Sequence, residues 1–255
     1  MKTNRTTETK LLIDIGNSVI KTALCKNSKL FLIKNIDNDI KSFRKILINN
    51  YKKYNINKII FTSVIGNKVL KNYINILRSI FDCPLIEFKS TKKLLGVKNA
   101  YLIANNLGSD RWAGIVGSYL KYKKPLCLVD CGTAISIDYV SNSGQHIGGY
   151  ILNGVNNYKL SFNNVYHLKN IKFQNIYSFS NLKPSKSTKE GIEKGYTLMV
   201  VSSIEKSFRD FCKTQSKKPL LIISGGYGHI ISKQLSIRNQ YDPNIVLMSL
   251  AYIFE

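Results

Sequence analysis

Disulfides and metal clusters are hard to build from this chain. Its five cysteines (Cys25, Cys83, Cys127, Cys131, Cys212) are odd in number and include no CxxC pair, which points to reduced thiols in a cytoplasmic setting and against a disulfide framework. Cys127 and Cys131 are four apart on an expected strand and share a face, but no further zinc ligand stands beside them. The histidines, His146, His167 and His229, are too scattered for a triad and read as surface or satisfied core residues. Long apolar runs are lacking too: none approaches the roughly 18 residues of a membrane-spanning helix. The longest, Ile245–Phe254, is interrupted by Ser249 and reads as a buried helix. Met1–Lys10 is polar throughout, without the apolar centre of a secretory signal, and reads as a flexible extension.

Acidic residues are scarce: 15 Asp and Glu against 38 Lys and Arg leave a net charge of +23. Such a charge invites a nucleic-acid reading, yet only six of the basic residues are arginines. The lysines are spread over both halves among many Asn and Ile, as an AT-rich coding sequence would produce. No RNP-like aromatic motif, zinc finger or long basic tail occurs, so nucleic acid is not the expected partner. A basic surface would still attract anionic small molecules.

What the chain does have is 255 residues at 44% hydrophobic content, enough for two compact lobes. These are expected at residues 11–118 and 119–255, after an extension over 1–10. The organising stretch is Leu11–Lys21: an apolar strand, Asp14, Gly16, Asn17 and Ser18 in a turn, then an alternating strand carrying Lys21. Gly16 lets its N–H approach an anion, Asn17 and Ser18 add short donors, Lys21 adds positive charge and Asp14 offers a hard oxygen to Mg²⁺. The same residue types also make ordinary hairpin turns. Leu126–Ile137 repeats the design with Asp130, Gly132 and Thr133, which suggests a duplicated lobe with two phosphate loops facing one nucleotide.

Between these hairpins, a strand at Lys29–Ile36, an amphipathic helix over Ile40–Tyr54, a buried strand at Asn57–Ile65, a helix capped by Asn67 and a short strand at Pro84–Lys89 complete an α/β lobe. Val97–Arg111 then leads into a helix with Trp112, Ile115, Val116, Tyr119 and Leu120 on its apolar side. Asp110 stands where an N-cap belongs, and is either that cap or a general base. Arg111 is either a carboxylate clamp or a surface ion-pair partner. In the second lobe a turn at Asn142–Gly144 and a bulge or close approach at Gly148–Gly149 are expected, with Asn153–Tyr177 a helix and a loop and Ser178–Lys186 a loop. Ser187–Glu190 is a capping box opening a long helix. Thr188 is a first-turn residue or a hydroxyl that holds a polar substrate. A strand over Pro219–Ser224 ends in Gly225-Gly226, where a flat ring such as adenine could lie against backbone.

Asp14-x-Gly-Asn-Ser-x-x-Lys21, Gly108-Ser-Asp110-Arg111-Trp, Asp130-x-Gly132-Thr133-Ala, Gly148-Gly149-Tyr-Ile, Ser187-Thr188 and Ser224-Gly225-Gly226, in this order, closely resemble type III pantothenate kinase over nearly the whole chain. The resemblance implies an actin-like, sugar-kinase-type α/β fold of two ribonuclease-H-like lobes, each with a mixed five-stranded sheet flanked by helices. It implies a cytoplasmic homodimer that phosphorylates pantothenate with ATP, the first step toward coenzyme A, using Mg²⁺ and a monovalent cation, K⁺ or NH₄⁺. On the matching positions, it makes Asp14, Ile15, Gly16, Asn17, Ser18, Val19, Ile20 and Lys21 the first ATP loop, with Asp14 on Mg²⁺. Gly132, Thr133, Gly225 and Gly226 complete the nucleotide site, and Asp130 takes the K⁺. Tyr101, Gly108, Ser109, Asp110, Arg111 and Thr188 surround pantothenate, with Asp110 the base for its hydroxyl.

Ser18 replaces the family's Thr, keeping the hydroxyl. Ala104 replaces a Pro, which is expected to loosen the Tyr101 loop, and Asn153 replaces the Pro of the GGxIxPG motif. A regulator of the same fold resembling the Bvg accessory factor proteins is the alternative in another class; the presence of Asp14, Asp110 and Asp130 favours the enzyme. A kinase for a different small hydroxy-acid is the third reading.

Overall fold

In a computed structural model that describes residues 8–162 and 183–255, ten strands form two mixed sheets with one shared strand order. Chain contacts divide the molecule into two units, Met1–Tyr122 with Ile245–Glu255, and Lys123–Asn244.

The first unit opens with a meander of β1 (Lys10–Ile15), β2 (Val19–Lys26) and β3 (Lys29–Asp37). Helix α1 (Ile40–Ile46), strand β4 (Lys58–Ser63), helix α2 (Asn67–Ile80) and strand β5 (Leu85–Glu87) follow. The sheet order is β3-β2-β1-β4-β5, antiparallel through the meander and parallel from β1 outward. Leu11, Leu12, Ile13 and Ile15 are all buried because β1 is central and covered on both faces. One face carries Phe43, Tyr73 and Leu77 from the helices. A two-strand ribbon, β6 (Lys93–Leu94) and β7 (Val97–Lys98), precedes helix α3 (Ser109–Tyr122).

Two local expectations change. The expected helix over Ile40–Tyr54 keeps α-geometry only to Ile46. A wider π-type turn runs over Leu47–Tyr51, closed by Lys52 N–H donating to Leu47 O at 3.1 Å, and Leu47 and Tyr51 are both buried. Gly66 rather than Asn67 stands at the N-cap of α2, because its extended backbone aims its carbonyl at the N–H groups of Val69 and Leu70.

The second unit repeats the plan with β8 (Leu126–Cys131), β9 (Ala134–Val140), β10 (His146–Asn153), α4 (Val155–Ser161), α5 (Thr188–Lys213), β11 (Leu220–Ser224), α6 (Gly228–Gln234) and β12 (Gln240–Tyr241). Its order, β10-β9-β8-β11-β12, copies the first sheet position for position. Val200, Ile204, Phe208 and Phe211 of α5 pack with Cys127, Val129, Ile137 and Ile223 of the sheet, so both strand cysteines of β8 are core residues. The expected bulge occurs between His146 and Gly148, where Gly148 takes φ +121°. Ser187 caps α5, its Oγ accepting from Glu190 N–H at 3.3 Å as the capping-box pattern requires.

The last helix, α7 (Ile245–Ile253), packs on α3 and on β1. It therefore belongs with the first unit, although the sequence reading assigns it to the second lobe. Gly117 makes this approach possible: a Cβ there would lie 2.2 Å from Ser249 Cβ. Residues 1–7 of the expected extension, Asn163–Tyr177, Ser178–Leu182 and His167 lie outside the described residues.

Candidate functional site

In the first unit the acidic corner forms where β1 hands over to β2. Asp14 pairs across the strands with Lys21 on one side and with Thr62 of β4 on the other. Ile15 and Ile20 are fully buried, so their side chains belong to the core and only their backbones border the corner; Val19 is 39% exposed. The expected role of the Gly16 N–H changes. It donates to Val19 O at 3.1 Å, closing the turn on itself, and a Cβ at Gly16 would stand 2.8 Å from that oxygen. Glycine is needed there for the turn, and its N–H is engaged within it.

Helix α3 brings the second group of residues to the same unit. Thr62, buried beside Asp14, donates to Ser109 Oγ at 2.7 Å, and Ser109 donates to Ser63 O at 2.9 Å. Asp110 is inside the first turn of α3 rather than at its N-cap: the helix starts at Ser109, and Asp110 Oδ1 accepts from the N–H of Arg111 at 2.6 Å. The helix N-terminus favours a carboxylate here. A Cβ on Gly108 would lie 2.7 Å from Asp110 Oδ1, so that glycine keeps room for the carboxylate. Arg111 Nη1 donates to Tyr101 OH at 3.2 Å, and its guanidinium lies 5.7 Å from the Tyr101 ring centroid. Tyr101, Gly108, Ser109, Asp110 and Arg111 are thus one connected group, joined through Thr62 to the strand beside Asp14.

Asn99, only 2% exposed, organises the Tyr101 loop and went unnoticed in the sequence. Its amide donates to Thr91 O at 3.2 Å and Ala104 O at 3.3 Å, while its Oδ1 accepts from Tyr101 N–H at 3.0 Å. Lys92 Nζ donates to Tyr101 O at 2.8 Å. Ala104 opens a tight turn over 104–106, so hydrogen bonds hold the loop where a proline is missing.

In the second unit, Asp130 is the next-to-last residue of β8 and lies beside Ser224 of β11. Gly225, at φ +88°, leaves no space for a side chain: its Cβ would meet the Cys131 carbonyl carbon at 2.4 Å and Asp130 Oδ1 at 2.5 Å. Gly226 has nothing within 4 Å of such an atom, so the surface beside it is open. Gly132 N–H is taken by Ala134 O at 3.0 Å, as Gly16 N–H is in the first corner. Gly154, also missed, backs onto the loop, where a Cβ would strike Thr133 O at 2.1 Å. Asn153 O accepts from Tyr196 OH at 2.7 Å. Asp130, Gly132, Thr133, Gly225 and Gly226 gather at this corner. Thr188 is the first residue of α5 and is exposed.

Among the described residues, no three His, Cys, Asp or Glu side chains come together as a metal cluster. The donor set suits Mg²⁺ held by one carboxylate such as Asp14 together with phosphate and water oxygens. Asp130, ringed by the backbone of Cys131 and Gly225, offers a monovalent cation one carboxylate among backbone groups. Among the described residues, no helix is long and apolar enough to cross a membrane.

The family model described as type III pantothenate kinase matches residues 10–210. Relatives of that name include proteins of Pseudoalteromonas translucida, 30% identical over 251 residues and 96% of both chains, and of Finegoldia magna, 29% identical over 259 residues and 95% of both. Among solved structures, a Baf family protein of Campylobacter jejuni matches with TM-score 0.59 at 23% identity over 96% of both chains. The activator of the 2-hydroxyisocaproyl-CoA dehydratase from Clostridium difficile matches at 0.53 with 10% identity, over 96% of this chain and 93% of that one. Likeness at such identities is one of fold.

Proposed function

This chain belongs to the type III pantothenate kinase family, and from that premise we propose that Asp110 is the base that readies the hydroxyl of pantothenate for the γ-phosphoryl group of ATP. What supports the reading is the Thr62–Ser109 bond, which couples the strand beside Asp14 to the helix turn carrying Asp110 and Arg111. Phosphoryl transfer needs positioned groups and neutralised charge more than covalent help.

Asp110 accepts the hydroxyl proton as the oxygen–phosphorus bond forms and the bond to ADP breaks. Arg111, steadied by Tyr101, pairs with the substrate's carboxylate, and Gly108 keeps that wall thin. The Asn17–Lys21 segment holds phosphates of the nucleotide in this reading, and Thr133, Gly225 and Gly226 are further nucleotide contacts. Thr188 supplies a hydroxyl to pantothenate. Mg²⁺ on Asp14 and K⁺ on Asp130 supply charge neutralisation when bound.

Purified protein with ATP, Mg²⁺ and K⁺ should form 4′-phosphopantothenate. Asp110→Asn should lower kcat about 10²–10⁴-fold while the protein remains folded, and wild-type turnover in that variant would remove the base assignment. Replacing K⁺ by Na⁺ should slow turnover, and indifference would release Asp130 from its cation role. The chain works as a homodimer in this reading, and the exposed Ile147, Tyr150 and Ile151 of edge strand β10 are apolar side chains to bury. Ile151→Asp should shift the sedimenting species to a monomer.

A further inference from the structure

Three consecutive carbonyl groups of the first corner, those of Gly16, Asn17 and Ser18, are held by one residue outside it. Asn38, just past β3, donates through Nδ2 to Gly16 O at 2.8 Å and to Asn17 O at 3.1 Å, and its backbone N–H donates to Ser18 O at 3.0 Å. Its own Oδ1 accepts from the hydroxyl of Tyr73 on α2. Tyr73 is 1% exposed and packs edge-on against Phe43, ring centroids 5.1 Å apart, so its hydroxyl has one place to point.

A trans peptide unit carries its C=O and the following N–H in opposite directions. Fixing Gly16 O and Asn17 O toward Asn38 therefore turns the N–H groups of Asn17 and Ser18 the other way. Gly16 N–H is already committed to Val19 O. The two peptide units behind Asn38 are the ones whose direction decides whether the corner presents backbone donors to an anion.

We infer that Asn38, oriented by Tyr73, is a positioning residue for nucleotide binding: it aims the Asn17 and Ser18 N–H groups at the phosphates of ATP. The inference rests on the reading of this corner as an ATP loop. Because the Tyr73 hydroxyl fills Oδ1, the amide presents only its NH₂ side to the corner. Asp at position 38 would set a carboxylate oxygen against two carbonyl oxygens and repel what Asn holds.

The test has two readouts. Amide hydrogen exchange of the peptide spanning 14–21 reports whether the corner is held. The split between KM for ATP and KM for pantothenate reports whether the nucleotide senses it. Asn38→Ala and Asn38→Asp should speed exchange and raise KM for ATP about tenfold, the Asp variant more, with KM for pantothenate unmoved; one lost hydrogen bond of about 1.4 kcal/mol corresponds to that factor. Tyr73→Phe, which keeps the ring packing, should give a smaller change in the same direction. Wild-type exchange, or a wild-type KM for ATP, in both Asn38 variants overturns the inference. Lys21→Ala judges the corner itself: a raised KM for ATP there with silent Asn38 variants defeats the inference alone. Silence in all of them defeats the ATP-loop reading as well.

Discussion

Thr62 donates its hydroxyl proton to Ser109 at 2.7 Å across 47 residues of chain, and the two side chains bridge a sheet strand to the first turn of α3. Ser109→Ala leaves the fully buried Thr62 hydroxyl without this acceptor, which costs about 1–3 kcal/mol. Because the same turn carries Asp110, we expect kcat to fall as well as stability. The change should be largely recovered in Ser109→Thr, which keeps a hydroxyl. Thermal unfolding with steady-state kinetics on both variants checks this.

The glycines of the second corner should respond unequally. Gly225→Ala meets both a positive φ and two backbone atoms at 2.4–2.5 Å, so a loss of about 1–3 kcal/mol or more is expected. Gly132→Ala meets only Ala134 O, at 3.6 Å, an ordinary contact. That variant should fold like wild type, and any rise in its KM for ATP then reports a ligand against the loop. Circular dichroism melts beside ATP titrations separate the two effects.

Stability should decline above pH 10 through Tyr51. Burial pushes its phenol from 10.0 up to about 12, against the opposing bond with Thr22. The folded state thus holds its proton more tightly than the unfolded chain. The contribution is complete below pH 10 and is lost as pH rises toward 12. Tyr51→Phe should flatten urea midpoints over that window, while lowering the plateau because Thr22 Oγ1 and Leu32 O lose their partner.

His146 and Asp138 form a pair inside the second unit, 0% and 1% exposed, with Nε2 and Oδ1 3.1 Å apart. Gly149 fits over it, since a Cβ there would lie 2.7 Å from Asp138 Oδ1. Loss of the imidazole in His146→Ala removes a buried hydrogen bond and opens a cavity, which should cost about 3 kcal/mol. Urea unfolding of His146→Ala against the milder His146→Gln measures it, and equal midpoints for wild type and both variants would mean that the pair adds nothing to stability.

Most of the sheet plan could be read from residue patterns, because buried parallel strands such as Lys58–Ser63 and the meander hairpins carry their periods locally. The Ser187 capping box was legible for the same reason: its partners are three residues apart. The groupings of Tyr101 with Arg111 and of Asp130 with Gly225 came through the motif resemblance. Tertiary partners did not come through. Asn38 reaches Gly16 over 22 positions and Tyr73 reaches Asn38 over 35, distances at which composition carries no signal. Gly154 and Asn99 look like ordinary turn residues until Thr133 and Ala104 are seen beside them. The sequence does not assign the Gly16 N–H, because a self-closing turn and an anion cradle use the same residue types and only the position of Val19 O separates them.

The return of Ile245–Ile253 to the first unit sets an order of events during synthesis. Leu11–Tyr122 can leave the ribosome with its strands in register, yet the face where α3 meets α7 stays uncovered until more than a hundred further residues have been translated. The half of the molecule made first is therefore the half finished last, and a nascent chain stopped before Ile245 should be held by chaperones through the face of α3 around Gly117.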